Sequence, residues 1–216
     1  MARPRSARGR AREADIRLQA LFPGTASELC ALRHDDAFQL LAATILSAQC
    51  TDERVNQVTA ELFEVAPSAD AMAALDRERL EQIIRPTGFF HNKATSLLGM
   101  AAAVSQQYAG QVPSSLDELV ALPGVGRKTA NVVRSVAFGE PGLPVDTHVG
   151  RISRLLALTE NTDPVKVEAD LCALLPRQRW GGFSLRVILH GRATCVARRP
   201  LCGSCVLADF CPSAGG

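Results

Sequence analysis

Four cysteines near the C-terminus have the spacing expected of ligands to one metal centre. They follow the pattern Cys-x6-Cys-x2-Cys-x5-Cys and are Cys195, Cys202, Cys205 and Cys211. Thiolates are soft ligands, which select iron–sulfur clusters or zinc. The spacing alone fits either centre, so it predicts a four-thiolate site without deciding which metal occupies it.

The other cysteines and the N-terminal residues argue against a disulfide-bonded secreted protein. The chain has 216 residues and seven cysteines, an odd number. Its N-terminus lacks the apolar stretch of a secretory signal, and no apolar run reaches the roughly 18 residues that span a membrane. We therefore expect a cytoplasmic protein that uses cysteine for metal binding, with Cys30 and Cys172 as core thiols.

Positive charge is distributed unevenly along the chain. The formal net charge is only +2, yet residues 171–201 hold six arginines and no acid, while acids concentrate in residues 52–81. One basic face on a nearly neutral protein is typical of nucleic-acid binding, although a solvated surface gives the same pattern. Five further arginines in residues 1–12 predict a disordered basic arm. The six arginines of the basic stretch are Arg177, Arg179, Arg186, Arg192, Arg198 and Arg199.

Apolar residues recur at three- and four-residue spacing through most of the chain, which predicts an all-α fold. The clearest segments are residues 36–49, 92–109 and 168–175. Glycine and proline clusters divide the pattern into roughly ten helices of ordinary length. Residues 139–144, rich in both, are the best candidate for a crossover between two helical domains.

Residues 115–138 predict a helical hairpin. A serine followed three residues later by a glutamate is a capping box and predicts a helix over residues 116–122. Gly124 and Gly126 permit positive φ in the turn that follows, and a second helix is expected from about residue 127 to residue 138. The N–H groups at its start form an anion site that can hold a DNA phosphate. A plain helix–helix corner is the alternative.

Lys128 stands in this hairpin, in a chain that otherwise uses arginine for positive charge. There are 21 arginines and three lysines, Lys93, Lys128 and Lys166. Because arginine stays protonated it cannot act as an amine nucleophile, whereas lysine can. Lys128 is therefore a candidate nucleophile, while a surface role suits Lys166.

Asp146 follows the predicted crossover and precedes a further helical segment. It is placed to cap a helix that starts near Thr147, which does not exclude a catalytic role. If the two domains bring Asp146 close to Lys128, a cleft would contain both an amine nucleophile and a carboxylate. We interpret His148 as a structural hydrogen-bonding residue.

Five stretches of the chain together resemble the endonuclease III family of bifunctional DNA glycosylases, in the helix-hairpin-helix superfamily. The resemblance covers about residues 40–211. The stretches are LSAQCTD at 46–52, GFFHNKA at 88–94, LPGVGRKTANVV at 122–133, VDTHVGR at 145–151, and ILHGRATCVARRPLCGSC at 188–205 followed by Cys211.

The resemblance implies two helical domains with a DNA cleft between them. One is a six-helix, barrel-like domain over residues 30–140, which contains the helix-hairpin-helix motif. The other joins residues 1–29, including the basic arm, to residues 141–216. This second domain would carry a [4Fe–4S] cluster bound by the four cysteines.

The resemblance also implies base-excision repair. Such an enzyme removes oxidised pyrimidines from duplex DNA and cleaves the abasic site by β-elimination. Lys128 would be the nucleophile that forms a Schiff base, and Asp146 its catalytic partner. Its partner would be double-stranded DNA with damaged bases or abasic sites, and we expect a monomer associated with the nucleoid.

Further DNA contacts are expected from the hairpin and from two other positions, Gln49 and Phe89. Gln49 would fill the gap left by a flipped nucleotide, unless it is only a polar residue at a helix end. Phe89 stands at the family's wedge position, often leucine, and an aromatic side chain there can enter the base stack; a core role is the alternative. The remaining candidates are Gly124, Val125, Gly126, Arg127, Arg198 and Arg199.

Three other functions remain open at this level. An adenine-specific glycosylase lacks the hairpin lysine, and residues 40–49 offer no glutamate to protonate adenine. A single-function glycosylase of the same superfamily would release a base without cutting the strand. A non-catalytic DNA-binding module stabilised by zinc would have no need of Lys128.

Overall fold

The computed structural model describes residues 4–214, and this part of the chain is helical without strands. The predicted all-α fold is confirmed, with twelve α-helices where about ten were expected. None of the helices described is long and apolar enough to span a membrane. The helices are α1 (Ala7–Leu21), α2 (Ala26–Leu29), α3 (Ala37–Leu46), α4 (Asp52–Val65), α5 (Ala69–Ala74), α6 (Arg77–Ile84), α7 (Phe90–Tyr108), α8 (Leu116–Ala121), α9 (Arg127–Val136), α10 (Thr147–Leu155), α11 (Pro164–Leu174) and α12 (Trp180–Ala193), with 3-10 helices at Arg85–Thr87, Arg177–Arg179 and Cys202–Ser204.

The chain divides into two compact units. The first, which we call the hairpin unit, is Cys30–Glu140. The second, the cluster unit, joins the residues up to Leu29 with those from Pro141 onward. The hairpin unit contains α3 to α9, seven α-helices where the resemblance implies six, and two of them, α5 and α8, have only six residues each.

Helix α3 is the central element of the hairpin unit. All of its residues from Phe38 to Leu46 are buried, which matches its apolar composition, because a helix that is hydrophobic all round must be covered on every side. It packs against α4, α7 and α9. Asp36 starts α3, since its carboxylate accepts a hydrogen bond from the N–H of Gln39 at 2.8 Å. The last residues of α3 are therefore fixed within the core.

The cluster unit has a separate core built around α12. Phe183 and Val187 on α12 are fully buried, α12 packs against α1 and α10, and residues of α11 complete the same core. Leu207 and Phe210, from the segment that contains the cysteines, belong to the same core. The cysteine segment is thus part of the packed unit, and Leu207 and Phe210 are its apolar anchors.

The predicted disordered arm is wrong for the residues that the structure describes. Helix α1 begins at Ala7, and its arginines bond to carbonyl groups of the cluster unit. Arg8 Nη2 donates to the oxygen of Ala173 at 3.1 Å, and Arg10 Nε donates to that of Leu156 at 2.7 Å. These bonds anchor the helix because they satisfy carbonyls near helix ends. Residues 1–3 of the predicted arm lie outside the described residues.

The basic stretch at 171–201 is only partly a surface. Arg186 is buried, and its Nε donates to the carbonyl of Phe22 at 2.9 Å. Arg179 Nε pairs with the Asp15 carboxylate at 2.7 Å. Both arginines thus bind groups near the N-terminus of the chain, so the expectation that the six arginines form one basic face is wrong for Arg186 and Arg179.

Candidate active site and metal centre

The predicted hairpin is formed by α8, a turn over residues 122–126, and α9. Gly124 has a φ of +74°, as predicted, but Gly126 has an extended backbone with a φ of −86°. Helix α8 begins one residue after Ser115, although the Ser115 side chain makes no capping hydrogen bond. The capping-box pattern therefore predicts the start of α8 correctly, although the side-chain hydrogen bond that defines a capping box is not formed by Ser115.

Helix α7 supports the turn of the hairpin through two close contacts. A Cβ atom added to Gly124 would lie 2.4 Å from the Cβ of Ser96, and one added to Gly99 would lie 3.0 Å from the Cβ of Pro123. No side chain fits at Gly124, both because of this contact and because of its positive φ. The position of the turn on α7 thus depends on Gly124 and Gly99.

The N-terminus of α9 is open to anions. Its N-cap is Gly126, which has no side chain to make a capping hydrogen bond, and the first N–H groups of a helix have no partner within the helix. Arg127 and Lys128 follow and are both exposed. Val125 differs, because its side chain is buried and its N–H donates to the Leu122 oxygen at 3.1 Å. Val125 shapes the turn, while its neighbours present groups that can bind phosphate.

Lys128 is the only lysine of the three that combines an exposed side chain with a place on the hairpin, within the described residues. Lys93 is buried, and Lys166 is exposed on α11. An amine on the first turn of a helix whose N-terminus can bind phosphate would be held close to a DNA strand. This arrangement suits a nucleophile that attacks a sugar adjacent to a bound phosphate.

Asp146 caps α10, as predicted. Its Oδ1 accepts a hydrogen bond from the N–H of Val149 at 2.8 Å, and the residue is half-buried. His148 packs against α12, where a Cβ atom added to Gly191 would lie 2.7 Å from His148 Nδ1. This nitrogen is buried and makes no hydrogen bond within residues 4–214. Asp146 belongs to the cluster unit and Lys128 to the hairpin unit, so their proximity stays a prediction.

Gln49 and Phe89 share an unusual backbone. Gln49 has a φ of +54° in the turn after α3, and Phe89 has a φ of +49° just before α7. Both are exposed, and Phe89 retains 65% of its accessible surface, so it is not a core residue. A left-handed backbone costs free energy for residues other than glycine. Such strain clusters at functional sites, and it also occurs here at Ala109 and Ala157. The exposed side chains and strained backbones of Gln49 and Phe89 are consistent with side chains that enter DNA.

The four cysteines border one cavity of about 240 Å³, together with Arg151 and His190. Within residues 4–214, no three or more histidine, cysteine, aspartate or glutamate side chains are spaced to bind a single metal ion. Four thiolates that border one cavity are the donor set that holds an iron–sulfur cluster. The residues present therefore fit an iron–sulfur cluster.

The cysteine thiols lie close enough together to affect one another. Burial raises the pKa of Cys205, and the nearby Cys195, Cys211 and Cys202 raise it further. Burial also raises the pKa of Cys211. Several thiolates in one partly buried site are unfavourable unless a cation compensates their charge. The protein thus provides a donor set that is stabilised by bound metal.

Two side chains, those of Arg151 and His190, contact the cysteines. Neither was predicted from the sequence to be functional. Arg151 Nη1 lies 3.6 Å from the Cys195 sulfur, and its Nη2 donates to the Cys195 carbonyl. His190 Nε2 lies 3.5 Å from the Cys205 sulfur. Burial, and then the charge of Arg151, lower the pKa of His190. Such groups orient metal ligands, and both lie within stretches that carry the family resemblance.

Arg198 and Arg199 are exposed in the segment between Cys195 and Cys202. This segment is anchored at its end, where the N–H of Leu201 donates to the oxygen of Thr194 at 2.9 Å. The two arginines are accessible to solvent, in contrast to the buried Arg186, and their contact with phosphates stays a prediction.

Both candidate sites lie in parts of the chain that match known protein families. Residues 42–177 match the HhH-GPD superfamily of base excision DNA repair proteins, and residues 195–211 match the iron-sulfur binding domain of endonuclease III. The chain is 51% identical to endonuclease III of Synechocystis sp., over 97% of this chain and 94% of that protein. It is 41% identical to endonuclease III of Escherichia coli, over 83% and 85%.

Solved structures give the same result. A non-covalent endonuclease III–DNA complex superposes with a TM-score of 0.89 at 41% identity, and covers 96% of each chain. A trapped covalent endonuclease III–DNA intermediate matches equally well. A thermostable thymine-DNA glycosylase, at 20% identity and a TM-score of 0.81, shares the fold. The chain therefore belongs to the endonuclease III family, within the helix-hairpin-helix superfamily of base excision DNA repair proteins.

Proposed function

We propose that this chain is a DNA glycosylase and abasic-site lyase that removes oxidised pyrimidines from duplex DNA. The observation that carries the proposal is the exposed Lys128 on the first turn of α9, beside an N-terminus that no side chain caps. Relatives of the chain are named endonuclease III, and one solved relative is a covalent intermediate with DNA. These relatives and the covalent intermediate support a mechanism in which an amine of the protein bonds to the DNA.

The reaction first requires access to the damaged nucleotide. A base inside a duplex cannot be attacked, so the nucleotide must rotate out of the stack, which costs unpairing and unstacking free energy. Gln49 would fill the space left by the base, and Phe89 would enter the stack beside it. The N-terminus of α9 would bind a phosphate of the damaged strand.

Lys128 would then carry out the covalent chemistry. Its neutral amine attacks C1′ of the sugar, and the glycosidic bond breaks with its electron pair going to the base, which takes up a proton. Opening of the sugar ring gives an imine between Lys128 and C1′. Loss of a proton from C2′ then expels the 3′ phosphate by β-elimination. Hydrolysis of the imine by water releases the cut strand and regenerates the lysine.

Asp146 would serve the same reaction from the cluster unit. Its capping bond to the N–H of Val149 fixes the carboxylate in one orientation. A fixed carboxylate stabilises positive charge that develops on the sugar and accepts a proton in the steps that follow. This role requires Asp146 to approach the nucleotide held by the hairpin.

The cysteine segment would contribute to DNA binding. Cys195, Cys202, Cys205 and Cys211 would hold the iron–sulfur cluster, which when bound crosslinks the segment and compensates the thiolate charge. Arg198 and Arg199 would then be presented to phosphates of the duplex. Intracellular action at the nucleoid and a monomeric state are part of the same proposal.

Borohydride trapping tests the central step. The purified protein is incubated with duplex DNA that contains an oxidised pyrimidine or an abasic site, and borohydride reduces any imine to a stable amine. We expect a covalent protein–DNA adduct that is absent from Lys128→Gln and retained in the matched surface variant Lys166→Gln. Full strand cleavage by Lys128→Gln would exclude the proposed nucleophile.

The same assay separates the remaining alternatives. A single-function glycosylase would release the base and leave an intact abasic strand with no adduct. A DNA-binding module without activity would bind both substrates and change neither. Absorbance of an iron–sulfur cluster, with iron and sulfide in the purified protein, would exclude a zinc site.

A further inference from the structure

A lysine of the hairpin unit is buried and has no role in the chemistry proposed above. Lys93 lies in the first turn of α7 and is only 5% exposed. Lysine is among the residues least often buried, because removing an ammonium group from water costs free energy unless it is well hydrogen-bonded. The contacts of Lys93 must therefore account for its position.

The ammonium group of Lys93 joins two separate segments of the chain. Its Nζ donates to the carbonyl oxygen of Leu46 and to that of Thr87, each at 2.8 Å. Leu46 is the last residue of α3, where helical carbonyls lack partners within the helix. Thr87 is the last residue of a 3-10 helix and is itself buried. The Lys93 side chain thus links the C-terminal end of α3 to the end of the 3-10 helix.

Each of the two linked segments is followed by one of the exposed residues that have a left-handed backbone. Gln49 follows Leu46 by three residues, and Phe89 follows Thr87 by two. In addition, the backbone N–H of Lys93 donates to the Phe89 carbonyl at 3.0 Å. The contacts of Lys93 therefore constrain the separation between the backbones that present Gln49 and Phe89, in addition to the packing of α3 against α7.

We propose that Lys93 is a positioning residue that holds Gln49 and Phe89 at the spacing required to enter duplex DNA at one lesion. The proposal rests on the proposed function, which gives these two side chains their filling and wedging roles. It also explains why lysine stands here in an arginine-rich chain, since a compact ammonium on a flexible stem reaches both carbonyls where a planar guanidinium is bulkier.

The test compares two substrates with the full-length protein carrying its cluster. Excision from duplex DNA with an oxidised pyrimidine needs the base pair to open, whereas cleavage of single-stranded DNA at an abasic site needs only the amine chemistry. We expect Lys93→Met to slow single-turnover excision from the duplex by roughly tenfold or more, because small displacements of positioning groups have large effects on rate. Cleavage of the single strand should stay within about twofold of the wild type.

The matched control is Lys166→Met, which removes an ammonium group from an exposed position. It should change neither rate. A second comparison uses a background in which Gln49 and Phe89 are both alanine. Since Lys93 acts through these residues, Lys93→Met should add little to the loss already caused by that double substitution.

Several outcomes would overturn the proposal. These are equal losses on the duplex and the single strand, an additive loss in the double-alanine background, or duplex excision at the wild-type rate. Loss of folded protein in both Lys93→Met and Lys93→Gln would assign Lys93 to stability alone and would overturn it too.

A binding measurement distinguishes failure of this proposal from failure of the proposed function. A fluorescent base analogue beside the lesion reports opening of the stack when the protein binds, whether or not any chemistry follows. If the wild type shows no cleavage at all, the proposed function fails. An unchanged fluorescence signal with Lys93→Met would overturn only the positioning role.

Discussion

A Cβ atom at Gly124 would lie 2.4 Å from the Cβ of Ser96, so the hairpin turn and helix α7 are in direct backbone-to-side-chain contact. Helix α7 also begins beside Phe89 and contains Lys93. The same helix therefore supports both the turn that precedes Lys128 and the residues that we expect to enter the DNA. The proposed nucleophile, Lys128, and the proposed wedge residue, Phe89, are thus both supported by α7.

Substitution of Gly124 should disturb this support. Gly124→Ala combines a left-handed backbone with a clash against Ser96, and we expect it to lower the free energy of unfolding by about 2–4 kcal/mol. Gly126→Ala is the matched control, because nothing lies near its Cβ position, and should cost less than about 1 kcal/mol. Thermal unfolding of the wild type, Gly124→Ala and Gly126→Ala measures the difference. Equal losses of stability in the two variants would contradict the contact between Gly124 and Ser96.

The two roles of Asp146 can be separated by a pair of substitutions. Asparagine also caps helices, so Asp146→Asn should keep the stability of the cluster unit, while Asp146→Ala should lose about 1 kcal/mol. Both should slow excision strongly, since neither provides a carboxylate, and both should still bind duplex DNA. Wild-type turnover by Asp146→Asn would limit this residue to its capping role.

The sequence predicts those features of the site that depend on local spacing. The cap at Asp146, the start of α9 and the positive φ of Gly124 each depend on neighbouring residues, and the structure has all three. The role of Lys93 was not predicted, because its partner Leu46 is 47 residues away. Arg186 was placed on a surface for the same reason, since its charge is evident in the sequence but its distant partners are not.

The arginines of the cluster unit should divide into two functional groups. Arg198→Gln and Arg199→Gln should each weaken DNA binding and lower the slope of log affinity against log salt by about 1, with unchanged thermal stability. Arg186→Gln should instead reduce the free energy of unfolding by about 1–3 kcal/mol, because it removes the charge-assisted hydrogen bond from a buried side chain to the Phe22 carbonyl. Titrations of duplex DNA at several salt concentrations, together with melting curves, measure both effects.

Loss of one cysteine ligand should affect stability as well as metal content. Cys202→Ser should lose the cluster absorbance and lower the melting temperature, because the core residues Leu207 and Phe210 belong to the segment that the cluster would crosslink. Cys30→Ser, outside this segment, should retain both properties. Iron analysis and melting curves of the two variants provide the measurement, and a full iron content in Cys202→Ser would contradict the assigned ligand set.

The strained backbones of Phe89 and Gln49 predict opposite effects on stability and activity. Glycine adopts a left-handed backbone without strain, and Phe89 is mostly exposed, so Phe89→Gly should raise the free energy of unfolding by about 0.5–1 kcal/mol. Excision from duplex DNA should nevertheless fall, since no side chain then enters the base stack. Gln49→Gly should behave in the same way.

Helix α7 supplies the matched control at its other end. Ala109 has a φ of +50° at the C-terminus of α7, so Ala109→Gly should give a similar gain in stability without any change in excision. If Phe89→Gly is as stable and as active as Ala109→Gly, the left-handed backbone of Phe89 serves only to begin the helix. A gain in stability with lost excision at Phe89 alone would mean that the strain is retained because the exposed ring is needed, and that the protein gives up stability at this position in order to open DNA.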